Sequence, residues 1–425
     1  MNKSIKFTFS VLLMGIFLLV MTIEGYSENY DPNVSPIFLK QTQTRETRTV
    51  SNAGNWSYWL QYDGLSGYNP ILSLAGGTYP RGTSTAIFQD GVVWGAFVRD
   101  TSSQNPRVGG QTYNIGTSAG RILVPGTPPI GAPSAVAQDA NEVQLYRINV
   151  DYTVPYDQLT ETQQTNALEV LRQDVSETNA INVSDVTDQQ VIDAVNQYAA
   201  DYANWPAEAP RNADGTPGIA NADQVIWFVV NDLDIGRTSS LYGSGPMGIE
   251  LQVTAWSYNQ PATALGQVIY KQYKIINKSG VTMDSMYISQ WSDPDLGDSG
   301  DDFAGCDTLL SMGFAYNGYL VDRNYALVGL PPPATGYDFF AGPLVQGIAG
   351  QDLNKNGIDD AVDFGIKNLK KVGPGYINLP MTAFIYFAAG SAISDPPLRD
   401  YEGTIEWYKM LNGVGSPRFG PEPWV

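Results

Sequence analysis

The chain has 425 residues, 43 of them Asp or Glu against 24 Lys or Arg, for a net charge of −19. Acidity on this scale argues against nucleic acid or an anionic membrane surface as partner and makes divalent cations the natural counter-charge, although solubility outside the cell explains it equally well. There is no histidine and a single cysteine, Cys306, which removes Ser-His-Asp and Cys-His catalysis, the usual zinc sites and any intramolecular disulfide.

What remains for an enzyme is carboxylate, Lys or Tyr chemistry, and no catalytic constellation stands out. The length exceeds one ordinary core, and 43 Gly with 27 Pro in a chain that is 43% hydrophobic describe a folded protein with many tight turns.

Residues 1–27 read as a secretory signal. Lys3 and Lys6 form a positive start, Val11 to Thr22 an apolar run too short to span a bilayer, and Gly25-Tyr26-Ser27 a small-residue cleavage region. No cysteine lies near the cleavage point, so no lipid anchor is expected. No membrane insertion is expected after signal removal either, because no other segment is long and apolar enough.

Residues 28–155 read as a β-rich region of short strands and turns. The clearest hairpin signal is Thr85 to Phe97, with Asp90-Gly91 as a type I′ turn between Ala86-Ile87-Phe88 and Val92-Val93-Trp94. Over 156–205 the period changes to 3.6. Thr160 with Gln163 and Thr187 with Gln190 are capping boxes ahead of two apolar-striped helices, the second carrying Val191, Ile192, Val195, Tyr198, Ala199 and Tyr202. From Asp157 to Glu208 the acids (Asp174, Glu177 and Asp201 among them) face one base, Arg172, and read as the solvated face of a helical insert.

Residues 206–425 return to strands. Val225 to Val230 suits a buried strand; Leu251, Val253 and Ala255 alternate with Gln252, Thr254 and Trp256; Gln267 to Ile276 and Met286 to Trp291 continue the series. Strand after strand without βα alternation predicts a mainly β protein, an antiparallel β-sandwich with an inserted acidic α-helical hairpin. The ending Gly420-Pro421-Glu422-Pro423-Trp424-Val425 has mid-loop character and reads as a C-terminal truncation.

The strongest chemical motif runs from Asp352 to Asp363. With Asp352 as position 1, oxygen side chains fall at 1, 3, 5, 9 and 12 (Asp352, Asn354, Asn356, Asp360, Asp363), Gly357 at 6, and Ile358 at 7 offers its carbonyl. A hard cation with six to eight oxygen ligands needs such a tight wrap, and Gly357 permits the left-handed turn that aims the oxygens inward. Structural Ca2+ is the predicted cofactor, and Ile358 is expected to pin the loop to the core. The twelve residues resemble the loops of dockerins and thrombospondin-type calcium repeats, which also end in Asp. They are not duplicated, and a plain Asx-rich turn is the competing reading.

A second acidic cluster, Asp293, Asp295, Asp298, Asp301 and Asp302 with Gly297 and Gly300 between, follows the strand ending at Trp291. Carboxylates this dense repel unless a cation or solvent intervenes. A second cation site, a solvated loop and a catalytic carboxylate pair are the readings in play. Asn212-Ala213-Asp214-Gly215 is either half a calcium loop or a β-turn. A carbohydrate-binding or carbohydrate-active module, glycoside-hydrolase-like, would use Trp256, Trp291, Tyr287 and Glu250 as a cleft, though nothing in the spacing selects them.

Three stretches carry a wider resemblance: Tyr273-Lys274-Ile275-Ile276-Asn277-Lys278-Ser279, Trp291-Ser292-Asp293-Pro294-Asp295-Leu296-Gly297-Asp298, and Gly305-Cys306-Asp307 leading to Gly313-Phe314-Ala315-Tyr316-Asn317. With Trp56 to Asp100 and Asp223 to Asn231, they resemble a family of large secreted proteins from Gram-negative bacteria that use type IX secretion. The resemblance implies a long surface or extracellular protein in which this portion precedes sandwich modules and a C-terminal sorting domain. Taken with the signal and the calcium loop, the expectation is an exported protein, extracellular, at the outer cell surface or in the periplasm, with a structural or adhesive role and a cell-surface or polysaccharide partner. It supplies no catalytic residues.

Overall fold

The computed structural model describes residues 47–126, 143–367, 370–388 and 394–415. The signal expected over 1–27 lies outside the described residues. The first strands are β1 (Arg48–Ser51), β2 (Ser57–Gln61), β3 (Tyr68–Asn69), β4 (Leu74–Ala75), β5 (Gly77–Thr78), β6 (Thr85–Ile87), β7 (Gln89–Val98), β8 (Arg107–Gly110), β9 (Ser118–Ala119) and β10 (Tyr146–Asn149). Helices α1 (Glu161–Asn179) and α2 (Asp188–Ala203) follow, then β11 (Gln224–Asn231), α3 (Ile235–Tyr242), β12 (Ile249–Ser257), β13 (Tyr270–Asn277) and β14 (Met283–Asp293). The remainder carries β15 (Asp302–Asp307), β16 (Met312–Asn317), α4 (Arg323–Leu327), β17 (Ala334–Asp338), β18 (Leu344–Gln346), β19 (Gly365–Lys367), β20 (Lys370–Val372), β21 (Tyr376–Asn378) and α5 (Tyr401–Leu411).

The protein is mainly β with antiparallel sheets, as the sequence predicts. One sheet runs β10-β11-β12-β13, with β9 added beside β11; β14-β7-β8 and β1-β2-β5-β6 form two others. The largest core cluster takes Val92, Trp94, Ala96 and Val98 from β7, Ile226, Phe228 and Val230 from β11, and Ile249, Leu251, Val253 and Ala255 from β12. Each set is spaced by two, so each strand turns one pleat face inward. The opposite faces are covered too. Val225, Trp227 and Val229 pack with Trp205 and Ala209, while Val93 packs with Leu241 and Tyr242 of α3 and Trp407 and Tyr408 of α5. That double burial explains the uninterrupted apolar run in β11, where alternation is absent because neither face meets water. Each buried Val, Leu, Ile or Phe among these contributes about 1.5–3 kcal/mol relative to exposure.

The expected Thr85 to Phe97 hairpin is not formed. Asp90 and Gly91 lie inside β7, opposite Ser292 and Trp291 of β14, while β6 pairs with β5. Two tertiary facts override the turn propensity. A Cβ on Gly91 would stand 2.8 Å from the Gln111 carbonyl oxygen, so glycine serves close chain approach rather than a left-handed turn. Asp90, fully buried, is held by Lys271 at 2.8 Å.

Both predicted capping boxes are present, Thr160 with Gln163 and Thr187 with Gln190, each with side-chain and backbone bonds in both directions. The solvated reading of the acids in this segment needs correction at three positions. The Glu177 side chain is only 9% exposed, pairs with Arg81 at 2.7 Å and accepts from Asn52 at 2.7 Å. Asp174 and Asp201 are buried. Asp174 is ion-paired with the buried Arg147 of β10 and accepts from Asn52 at 2.7 Å, and Asp201 accepts the Arg147 backbone N–H at 2.7 Å. Arg147 comes from the sheet, so the charge balance of α1 and α2 is completed from outside their own sequence.

Candidate metal centre

The loop from Asp352 to Asp363 joins β18 to β19, with β18 paired to β21 and β19 to β20. Its ends are fixed by the backbone: Gly347 N–H donates to Gly375 O and Gly375 N–H to Asp363 O, at 3.0 and 2.9 Å. Asp360 is fully buried and accepts from Leu353 N–H at 3.1 Å, while its own N–H donates to Gln351 O. Gly357 has φ +84° with open space around it, and Lys355 is also left-handed at +58°.

Within this frame three predicted positions meet. The Nδ2 groups of Asn354 and Asn356 both donate to Asp363 Oδ2, at 2.9 and 2.8 Å. These hydrogen bonds, with Phe364 N–H and the Lys371 charge, hold the Asp363 carboxyl below its ordinary range. Asp352 is turned to the backbone instead, accepting from Asn356 and Gly357 N–H at 3.0 and 2.9 Å. Ile358 is 45% exposed and does not pin the loop to the core; the fully buried Asp360 performs that task. The chain after the loop forms the β19–β20 pair rather than a helix, unlike an EF-hand.

The second acidic cluster surrounds the end of β14. Burial, reinforced by Asp295 and Asp395, pushes the Asp293 carboxyl well above its ordinary range against a hydrogen bond from Tyr113. Burial also raises Asp295, and it pushes Asp302 up to about 7 with the help of the Asp301, Asp295 and Asp322 charges. Among the described residues of this cluster, Asp298 alone has a cationic partner, Arg323 at 2.7 Å. Asp302 lies opposite Asn317 in the β15–β16 ladder, and Asn317 Nδ2 donates to Asp301 Oδ2 at 3.0 Å. Three buried oxygens nearby, Asp301 Oδ1, Asp302 Oδ1 and Asn317 Oδ1, have no hydrogen-bond partner among the described residues. With the carboxyls ionised all three are acceptors, so what they lack is positive charge or a donor, which a cation or a proton on Asp302 would supply.

Among the described residues, no group of three or more His, Cys, Asp or Glu side chains is arranged to hold a metal. A cation in either place would therefore depend on Asn and backbone oxygens as well as carboxylates, which suits calcium and excludes soft metals. The fragment Asn212 to Gly215 is a β-turn, closed by Gly215 N–H to Asn212 O at 3.0 Å.

The residues imagined as a sugar cleft are not brought together. Trp256 is 7% exposed and stacks on Tyr270 in one cluster; Trp291 is 6% exposed and packs against Tyr113 in another. Tyr287 is half-buried against Tyr408, and the buried Glu250 pairs with Lys278 at 2.8 Å. Sequence reasoning missed Asn317, Asp322 and Asp395 as neighbours of the acidic loop, and missed a buried group formed by Lys271, Asp90, Tyr58 and Tyr337. No local signal marks any of them, because each reaches its partners only through contacts distant in the chain.

No family model, curated protein or solved structure matches this chain. No helix among the described residues is long and apolar enough to cross a membrane.

Proposed function

We propose that this chain is an exported structural or adhesive protein of the outer cell surface whose loops are stapled by calcium. The meeting of Asn354, Asn356 and Asp363 around one point, with Gly357 left-handed at the position the motif requires, carries this reading. An Asn amide presents Oδ1 in place of Nδ2 after a half-turn of its terminal group. Both amides, so turned, put oxygens next to Asp363, and a hard cation takes over the positive role the two N–H groups now play. The unpartnered Asp301, Asp302 and Asn317 oxygens favour a second, separate cation.

Three sequence features support the location: the signal over 1–27, the acidity, and the resemblance to type IX secreted proteins. The central cluster drawn from facing sheets supports a β-sandwich, with α1 and α2 as the inserted hairpin. An ion that binds only the folded state stabilises it by RT ln(1 + [L]/Kd), roughly 4 kcal/mol at millimolar calcium and micromolar Kd. The carbohydrate reading is not favoured, since the aromatic residues it would use are committed to packing.

Thermal unfolding of the full chain in millimolar calcium and in excess chelator tests the proposal. Calcium should raise the midpoint by several degrees, and Asp363→Ala should lose most of that rise. A response kept by Asp363→Ala but lost by Asp302→Asn moves the staple to the acidic loop, and identical melting in every condition refutes it.

A further inference from the structure

The buried group at the junction of β2, β7, β13 and β17 has a geometry that the cation reading does not use. Lys271 Nζ lies 2.8 Å from Asp90 Oδ2 and 3.0 Å from Oδ1. The Asp90 side chain has no exposure and the Lys271 side chain 12%. Tyr337 donates its hydroxyl hydrogen to Asp90 Oδ2 at 2.8 Å and is backed by Ser292 at 2.9 Å; Ser66 donates to Oδ1. The Tyr58 hydroxyl accepts from Nζ at 2.5 Å, and the ammonium stands 4.3 Å from the Tyr58 ring centre. Amine and carboxyl thus face each other in a water-poor site, with two hydroxyl donors on the carboxyl oxygens.

We propose that Lys271 and Asp90 join in an intramolecular isopeptide bond, a covalent cross-link between β13 and β7. Nζ passes one proton to an Asp90 oxygen along the existing hydrogen bond and attacks Cγ as a free amine. The Cγ–Oδ bond then breaks, and that oxygen leaves as water with two of the three ammonium protons. The Nζ–Cγ amide forms with no oxidant, reductant or co-reactant.

Three features favour the step. Burial disfavours the charged forms of both partners and so favours the neutral pair that reacts. The Tyr337 and Ser66 hydroxyls polarise the carboxyl and sit where charge develops on its oxygens. The strands hold Nζ within hydrogen-bond distance of both carboxyl oxygens, which makes the condensation intramolecular rather than a slow bimolecular one. Within the folded protein the Lys271 charge and these hydrogen bonds keep Asp90 below its ordinary range in spite of burial. The neutral pair is therefore a minor species, and the reaction needs to occur only once per molecule.

The first measurement is the intact mass of the folded full chain after denaturation, followed by mapping of its proteolytic peptides. The expected result is a mass lower by one water and a branched peptide carrying both Lys271 and Asp90, both lost in Lys271→Arg. Asp90 precedes Gly91, so a succinimide at that bond would remove the same water. Loss of water confined to a linear peptide containing Asp90 overturns the proposal, as does recovery of separate, unmodified Asp90 and Lys271 peptides from the native chain. Because the reading is taken on the unsubstituted protein, it holds even if the variant fails to fold.

Discussion

Replacing Asp232 by an asparagine should flatten the pH dependence of stability between about pH 4 and 7. Asp232 follows β11, is fully buried, and accepts three backbone N–H bonds from Met247, Gly248 and Ile249 at 2.9, 2.9 and 2.8 Å. Burial outweighs these bonds and pushes its carboxyl from 3.8 up to about 6. A gap of about two pH units at 1.36 kcal/mol each is worth about 3 kcal/mol. The folded state holds the proton more tightly than the unfolded chain does. This contribution is therefore fully present below about pH 4, declines as pH rises through about 6, and is gone above about 7. The amide introduced by Asp232→Asn cannot titrate, so the difference in unfolding free energy between the native chain and the variant should shrink by about 3 kcal/mol from acid to neutral pH. Urea unfolding in chelator across this range reads the difference directly. A constant offset, the same at every pH, would mean that Asp232 ionises alike in both states and would refute the argument.

Removal of the Arg147 side chain should cost about 3–5 kcal/mol, because it leaves the buried Asp174 carboxylate unpaired. Arg147→Met combined with Asp174→Leu should recover most of that loss in chemical denaturation, and a double variant no better than the single one would contradict it. Thr187→Ala should lower stability by about 1 kcal/mol through loss of the α2 cap. Its far-ultraviolet helix signal should change little, and a large loss of helix would show that the cap does more than satisfy one backbone donor.

Local chemistry made part of this molecule legible in advance. Capping boxes are legible because their partners are three residues apart, β11 because a doubly buried strand is apolar throughout, and β12 because Leu251, Val253 and Ala255 alternate with Gln252 and Thr254. In the Asp352 loop the left-handed Gly357 and the short-range Asx bonds are legible for a related reason, since both depend on the spacing of the twelve residues themselves. Even there, Ile358 was assigned the anchoring role that Asp360 has, since which side chain points inward depends on the strands β18 and β19 at the loop ends.

What tertiary structure alone decided is the fate of charged and turn-forming residues whose partners lie far along the chain. Asp90-Gly91 carries a turn signal yet sits in a strand because β14, Gln111 and Lys271 surround it. Asp174 and Asp201 belong to an acidic stretch yet are buried because Arg147 arrives from the sheet. The amino-acid sequence by itself determined the predominance of antiparallel strands, the two capped helices of 156–205, the acidity and the oxygen spacing of the loop, since each rests on propensity or on contacts between near neighbours. The helices α3 and α5, inside the stretch read as strands, were decided by packing. Which carboxylates are buried, paired or left unpartnered was decided by packing, because desolvation and Coulomb energy depend on distance in space rather than along the chain.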